Sequence, residues 1–241
     1  PPFNEGGMQA EDLKRAAAIP SESILFNIDQ KADVISKDEL DALIAVFVKV
    51  FDEHCGYYGK QPYIAQFERE LAVDGQFDNF KAAFAELAGQ DWESGRRRAK
   101  RMAQHVDNAY TQITGTSVTD TLDKYRDDYS LSIEDYAEQV NAYVESKGDT
   151  FRLNFFVDEV GQYVDGNVKL MTNLQTVAES LATRCKGRSW VVVTAQEDMS
   201  AVLGDDAQQS NDFSKIQARF KHRMKLNSQD VAEGIQMRLL D

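Results

Sequence analysis

The pattern of apolar and polar positions predicts three short strands and many helices. Residues 151–157 are rich in aromatic and β-branched side chains, which is typical of a strand buried on both faces. A second apolar run, 189–194, predicts another fully buried strand, and a third strand is predicted at 24–29. A helical pattern from about 167 to 184 separates the two C-terminal runs. The order strand, helix, strand predicts a parallel pair joined by a right-handed crossover.

Between the first and second strands the periodicity is helical almost throughout, from Ser36 to about Lys147. Ser36 and Glu39 have the spacing of a capping box, and apolar residues follow at helical spacing. A short helix from Met8 to Ala18 precedes the first strand. Further amphipathic helices are predicted at 62–72, 76–88, 94–113, 119–128 and 132–146.

These elements predict an α/β fold in which a parallel sheet carries a large all-helical insertion. The chain divides into residues 1–35, with the N-terminal helix and an early strand, and residues 36–150, the helical insertion. Residues 151–241 hold the two C-terminal strands and the segment that follows them.

Composition limits the classes of function. The 241 residues are 42% apolar, which is enough for a sizeable core. The formal net charge is −13, so nucleic acid would bind only at a local basic patch. The two cysteines, Cys55 and Cys185, do not form a metal or disulfide motif, and no apolar run approaches the roughly 18 residues of a membrane span. The sequence therefore predicts a cytoplasmic protein that does not enter a membrane.

Two adjacent carboxylates, Asp158 and Glu159, follow the strand predicted at 151–157. Ligands of open α/β sheets bind at the carboxyl ends of the strands. A strand followed by Asp-Glu is the Walker-B pattern of P-loop nucleotide hydrolases, in which the aspartate holds the Mg²⁺ shell and the next acid orients or deprotonates the attacking water. The alternative is an ordinary core strand whose polar end runs into a loop.

Three further residues extend this candidate site. Thr194 and Gln196 lie at the end of the next predicted strand, at the same edge as the two acids. In the additional-strand ATPases a polar residue at this place helps to position the attacking water. Arg219 lies where such enzymes carry an arginine finger, which reaches the phosphates bound by a neighbouring subunit. An arginine that only covers the domain surface is the alternative there.

The runs NFFVDEVGQYV, KLMTNLQTVAESLATRCKGRSWVVVTAQEDM and NDFSKIQARFKHRMKL resemble the BrxC/PglY family, the large ATPases of bacteriophage exclusion (BREX) defence systems. The resemblance extends more loosely to ILFNIDQKAD and the helical stretch. It implies a P-loop (AAA+-like) ATPase fold that binds ATP and Mg²⁺, with Asp158 as metal and nucleotide ligand. It implies partners among the other BREX proteins, a homo-oligomer of the full-length protein, and contact with DNA through the complex. Its catalytic residues would be Glu159, Thr194, Gln196 and Arg219.

The chain departs from this family pattern in one respect. No G-x-x-x-x-G-K-[ST] motif occurs, and Gly56–Gln61 has a Gly-Lys pair without the required glycine spacing or hydroxyl residue. We expect the phosphate-binding loop and the first, central strand of the sheet to lie upstream in a longer protein. The chain alone would then bind nucleotide poorly and would not hydrolyse it.

Other features have structural interpretations beside functional ones. Residues 96–101 hold five cations in six positions, which favours a solvated face spread around a helix over a phosphate-binding patch or a partner surface. His54, His105 and His222 are scattered and are interpreted as core or surface residues. Aromatic residues between 57 and 84 have core-like spacing, which favours packing over a base-stacking platform.

A second functional hypothesis is a non-enzymatic scaffold. In it the helical insertion docks other proteins of the defence complex, and nucleotide only sets its shape. A phosphate-binding lysine upstream of the chain would favour the ATPase, and its absence would favour the scaffold.

Overall fold

The computed structural model describes residues 7–28, 42–160, 163 and 168–194, and these residues form a mixed α/β structure. The strands are β1 (Ser21–Asn27), β2 (Arg152–Asp158) and β3 (Ser189–Val193). The helices are α1 (Gly7–Ala17), α2 (Ala42–His54), α3 (Pro62–Val73), α4 (Phe77–Ala88), α5 (Trp92–Gly95), α6 (Ala99–Thr114), α7 (Thr121–Asp128), α8 (Ile133–Ser146) and α9 (Val168–Arg184). A 3₁₀ turn, Arg96–Arg98, joins α5 to α6.

The three strands form a parallel sheet in the order β1-β2-β3. The three predicted strands and the parallel pairing are confirmed, although β1 begins at Ser21 rather than at residue 24. Most predicted helices are also confirmed, but the helix predicted at 94–113 is divided by the 3₁₀ turn. The capping box at residues 36–39 lies outside the described residues.

One face of the sheet is covered by α2, α8 and α9, which contact one another. The Phe47 ring of α2 packs edge-on against Phe26 of β1, with 5.4 Å between centroids, and lies 5.7 Å from the Phe155 ring of β2. Each fully buried side chain of this size contributes about 1.5–3 kcal/mol to folding. This cluster is the core that fixes the sheet.

The opposite face of the sheet carries exposed apolar side chains. The prediction that β2 and β3 are buried on both faces is therefore wrong. The exposed fractions are 77% for Leu25, 36% for Phe156, 41% for Val192 and 55% for Trp190. The first three lie in register across the sheet. Because the strand order advances in one direction, crossovers of one hand place their helices on the same face. The apolar residues of each predicted strand do not by themselves reveal this one-sided coverage.

A second core lies in the helical lobe, which we define as residues 62–128. Phe67, Phe80, Phe84 and Trp92 pack there with ring centroids 5.0–6.4 Å apart. Their burial confirms that the aromatic residues of this region form a core. Helices α2 and α8, in contrast, belong to the sheet core, although both fall inside the predicted insertion. The predicted boundaries at 36 and 150 stay a prediction.

No helix among the described residues is long and apolar enough to cross a membrane.

Glu22, at the amino end of β1, connects the sheet to α2 and α8 through contacts of its side chain. Its carboxylate accepts hydrogen bonds from the Tyr143 hydroxyl at 2.6 Å and the Lys147 ammonium at 3.0 Å, and it lies 2.6 Å from His54 Nε2. Burial alone would raise the pKa of Glu22, but these three partners together lower it to about 2.

We predict that this network is lost in acid. A carboxyl group with a lowered pKa in the folded state contributes stability above its unfolded pKa, and loses that contribution as pH falls toward the folded pKa. The midpoint temperature of thermal unfolding should therefore decrease as the pH is lowered from 4.5 to about 2. Glu22→Gln should lower the midpoint at neutral pH and flatten its change across this window. An unchanged acid dependence in the variant would contradict the assignment.

Candidate functional site

The carboxyl ends of the three strands meet at one edge of the sheet. Asn27, the last residue of β1, pairs in register with Asp158, the last residue of β2. Thr194 directly follows β3, and its backbone N–H donates to the Val157 carbonyl at 3.0 Å. Its own carbonyl accepts from the Val160 N–H at 3.1 Å. The chain leaving β2 is thus held against the end of β3.

The Asp158 carboxylate accepts two hydrogen bonds. The Thr194 hydroxyl donates to its carboxylate, and the backbone N–H of Glu159 donates to the same oxygen at 3.0 Å. The predicted contact between the ends of β2 and β3 is therefore confirmed. The catalytic and metal-binding roles of Asp158 and Thr194 stay predictions.

Glu159 has a left-handed backbone, with φ of 59°. This conformation costs a residue with a side chain about 1–2 kcal/mol, so glutamate here needs a compensating interaction. The Asn27 amide supplies one, because it donates a hydrogen bond to the Glu159 carboxylate. The turn after β2 therefore places the Glu159 carboxylate at the end of β1 rather than further along the direction of β2.

Asn27 is a residue of this edge that sequence reasoning did not single out. It lies inside the strand predicted at 24–29, where one polar residue among apolar neighbours does not indicate a site. The signal that would have found it is the register, since Asn27 pairs with Asp158 once β1 is placed beside β2.

Two predicted site residues, Gln196 and Arg219, lie outside the described residues. Of the other candidates, His54 belongs to the Glu22 network at the opposite end of β1. The aromatic residues of the helical lobe pack in its core.

The described residues at this edge do not form a complete Mg²⁺ site, but they fit an ion that is also held by a phosphate. Across the described part of the chain, no group of three or more His, Cys, Asp or Glu residues could hold a metal ion. Asp158 supplies one carboxylate, beside the hydroxyl of Thr194. Mg²⁺ is commonly held by one or two carboxylates together with water and substrate phosphates, rather than by a cage of protein ligands. The edge therefore fits an ion that arrives with a phosphate ligand.

No family model and no solved structure matches the chain. The resemblance to the BrxC/PglY family stays a prediction.

Proposed function

We propose that the chain is part of an ATP-binding and ATP-hydrolysing module of a bacterial anti-phage defence complex of the BREX type, which acts on DNA. The observation that supports this proposal is the meeting of Asn27, Asp158, Glu159 and Thr194 at the carboxyl edge of a parallel sheet. Ligands of such sheets bind at this edge. The phosphate-binding loop would come from another part of the full-length protein.

Each residue of the edge has a defined role in this proposal. When bound, ATP would supply the phosphoryl group and Mg²⁺ would neutralise its charge. Asp158 would hold the water shell of the metal, and the hydrogen bond from the Thr194 hydroxyl would fix the orientation of its carboxylate. Glu159 would accept a proton from the water that forms the new bond to the γ-phosphorus, as the bond to ADP breaks. Asn27 positions the Glu159 carboxylate.

Gln196 and Arg219 complete the proposed site. Gln196 would help Thr194 to place the water. Arg219 would reach the phosphates held by a neighbouring subunit, because a guanidinium is permanently charged and its planar donors suit phosphate oxygens. This role requires the full-length protein to be an oligomer.

The direct test is Mg²⁺-dependent ATP hydrolysis by the full-length protein, alone and with the other proteins of the complex. Release of phosphate that depends on both ATP and Mg²⁺ is expected. A full-length protein that binds no nucleotide under either condition would overturn the proposal.

Thr194 gives a sharper prediction. Thr194→Val keeps the shape of the side chain but removes the hydroxyl that donates to Asp158. Loss of one such hydrogen bond should lower the hydrolysis rate about tenfold. Thr194→Ser restores the hydroxyl and should retain most of the activity. Equal activity of the Val and Ser variants in a phosphate-release assay would show that the hydroxyl has no role.

The scaffold hypothesis is the second candidate, and the separate core of the helical lobe supports it. A lobe with its own core can present a fixed surface whatever the state of the sheet edge. If the scaffold hypothesis is right, variants of Glu159 and Thr194 should leave assembly of the defence complex unchanged in a co-purification experiment.

A further inference from the structure

A positively charged surface lies on the helical lobe of this acidic chain. Arg97 and Arg98 of the 3₁₀ turn and Lys100 and Arg101 at the start of α6 are all exposed. Further along α6 the exposed side chains are the amides Gln104, Asn108 and Gln112 and the hydroxyl of Thr114. We call this surface the basic face and define it as Arg97, Arg98, Lys100, Arg101, Gln104, Asn108 and Gln112.

The part of the basic face that lies on α6 is one-sided, whereas Arg97 and Arg98 precede this helix. At about 100° per residue, the exposed positions of α6 from Lys100 to Gln112 fall within an arc of about 120°. Buried Ala99, Val106 and Ala109 lie on the other side. The fifth cation, Arg96, turns inward and is 84% buried as a side chain; it pairs with Glu68 at 2.8 Å.

No acidic side chain of α6 neutralises the basic face. Asp107, the one acid in this helix, is buried and accepts the backbone N–H groups of Asp120 and Thr121, each at 2.9 Å. Arg97, Lys100 and Arg101 form no ion pair with any other residue that the structure describes.

Neighbouring polar groups have other partners. The Asp91 carboxylate, which lies near enough to Arg97 to interact with its charge, accepts the Ser94 N–H at 2.7 Å and caps α5. Arg98 donates to the Gln90 side chain at 2.9 Å and stays exposed.

The cations also lie at the amino end of α6, where positive charge is unfavourable. The amino end of a helix carries a partial positive charge and normally attracts acidic residues. Helix α6 has no acid in its first turn, and Arg98 at its cap position makes no capping hydrogen bond through its side chain. Cations concentrated at this end conflict with local helix chemistry, and a bound anion would remove the conflict.

We propose that the basic face binds the phosphodiester backbone of duplex nucleic acid. Arginine, lysine, glutamine and asparagine are among the side chains that contact phosphates in such complexes. The face from Lys100 to Gln112 is about 18 Å long at 1.5 Å per residue, which spans several phosphates. No aromatic residue lies within its exposed arc, so it offers no platform for the stacked bases of a single strand. Binding would be independent of base sequence and of the nucleotide chemistry proposed for the sheet edge.

The proposal is tested with the whole chain and a fluorescent DNA duplex of about 20 base pairs, by anisotropy between about 50 and about 200 mM salt. Four phosphate contacts predict a slope of log K against log salt of about −3.6. The triple variant Arg97→Gln, Lys100→Gln, Arg101→Gln should reduce this slope to about −0.9 and weaken binding at low salt by more than tenfold. The matched control is Lys14→Gln, Lys60→Gln, Lys124→Gln, which removes the same charge from exposed positions elsewhere.

Retained binding by the control together with lost binding by the triple variant would support the proposal, provided that both melt like the parent in circular dichroism. Equal binding by the two variants would overturn it, as would absence of duplex binding by the parent at low salt. A duplex of RNA in place of DNA identifies which nucleic acid is preferred. If polyglutamate competes with the duplex at equal charge concentration, the surface recognises acidic proteins instead, and the nucleic-acid proposal is wrong.

Discussion

Glu159→Gln in the full-length protein is expected to lower ATP hydrolysis by about 10²-fold or more while ATP binding stays nearly intact. The loss is the size expected when a positioned acid–base group is removed. Glutamine is nearly isosteric and can still accept the hydrogen bond that Asn27 donates. The turn after β2 should therefore keep its left-handed geometry, and the change is confined to proton transfer.

The measurement pairs single-turnover hydrolysis with nucleotide binding by a fluorescent ATP analogue. Glu86→Gln, at an exposed position of the helical lobe, is the matched control and should behave like the parent. Asn27→Ala should cost less than Glu159→Gln, because it removes one hydrogen bond to the carboxylate and leaves the carboxylate in place. If binding and hydrolysis are lost together in Glu159→Gln, the residue supports the turn and is not the base.

The sheet shows how far periodicity predicts this fold. The apolar run before Asp158 identifies β2, and the helix and strand that follow it identify the parallel pair. These elements depend on interactions that are local in sequence, or on a topology rule with few exceptions. The contact between Thr194 and Asp158 could be predicted for the same reason, since parallel neighbours end at the same edge.

Other features depend on long-range partners that no local pattern encodes. The Asn27–Glu159 hydrogen bond joins residues 132 positions apart and appears only when the order of the strands is known. The exposure of Trp190 depends on which face the helices cover. The separation of Arg96 from the other cations of its run depends on a carboxylate that lies 28 residues away, on α3.

That carboxylate belongs to Glu68, which is fully buried in the helical lobe. It accepts the Trp92 indole N–H at 2.6 Å, the Arg96 guanidinium at 2.8 Å and the Tyr58 backbone N–H at 2.6 Å. Arg96 also lies over the Tyr58 ring, 5.2 Å from its centroid. The carboxylate has a partner on each oxygen, so this network satisfies a buried charge that would otherwise be costly.

Glu68→Ala is expected to lower the free energy of unfolding of the helical lobe by about 3–5 kcal/mol. The variant leaves a cation that is largely buried and two donors without an acceptor, and water reaches them poorly. Glu68→Leu combined with Arg96→Met should recover much of the loss, because it removes both charges and fills the space. Asp78→Ala, which breaks an exposed pair with Lys81, is the control and should cost less than about 1 kcal/mol.

The two tryptophans make the measurement specific to the lobe. Trp92 is buried beside Glu68, whereas Trp190 lies on the exposed face of the sheet. In a Trp190→Phe background, urea unfolding followed by fluorescence reports on Trp92 alone. The midpoint should shift strongly in Glu68→Ala and return toward the parent value in the double variant. A shift in Glu68→Ala no larger than that of Asp78→Ala would mean that the buried network does not stabilise the lobe, whose aromatic packing would then be sufficient.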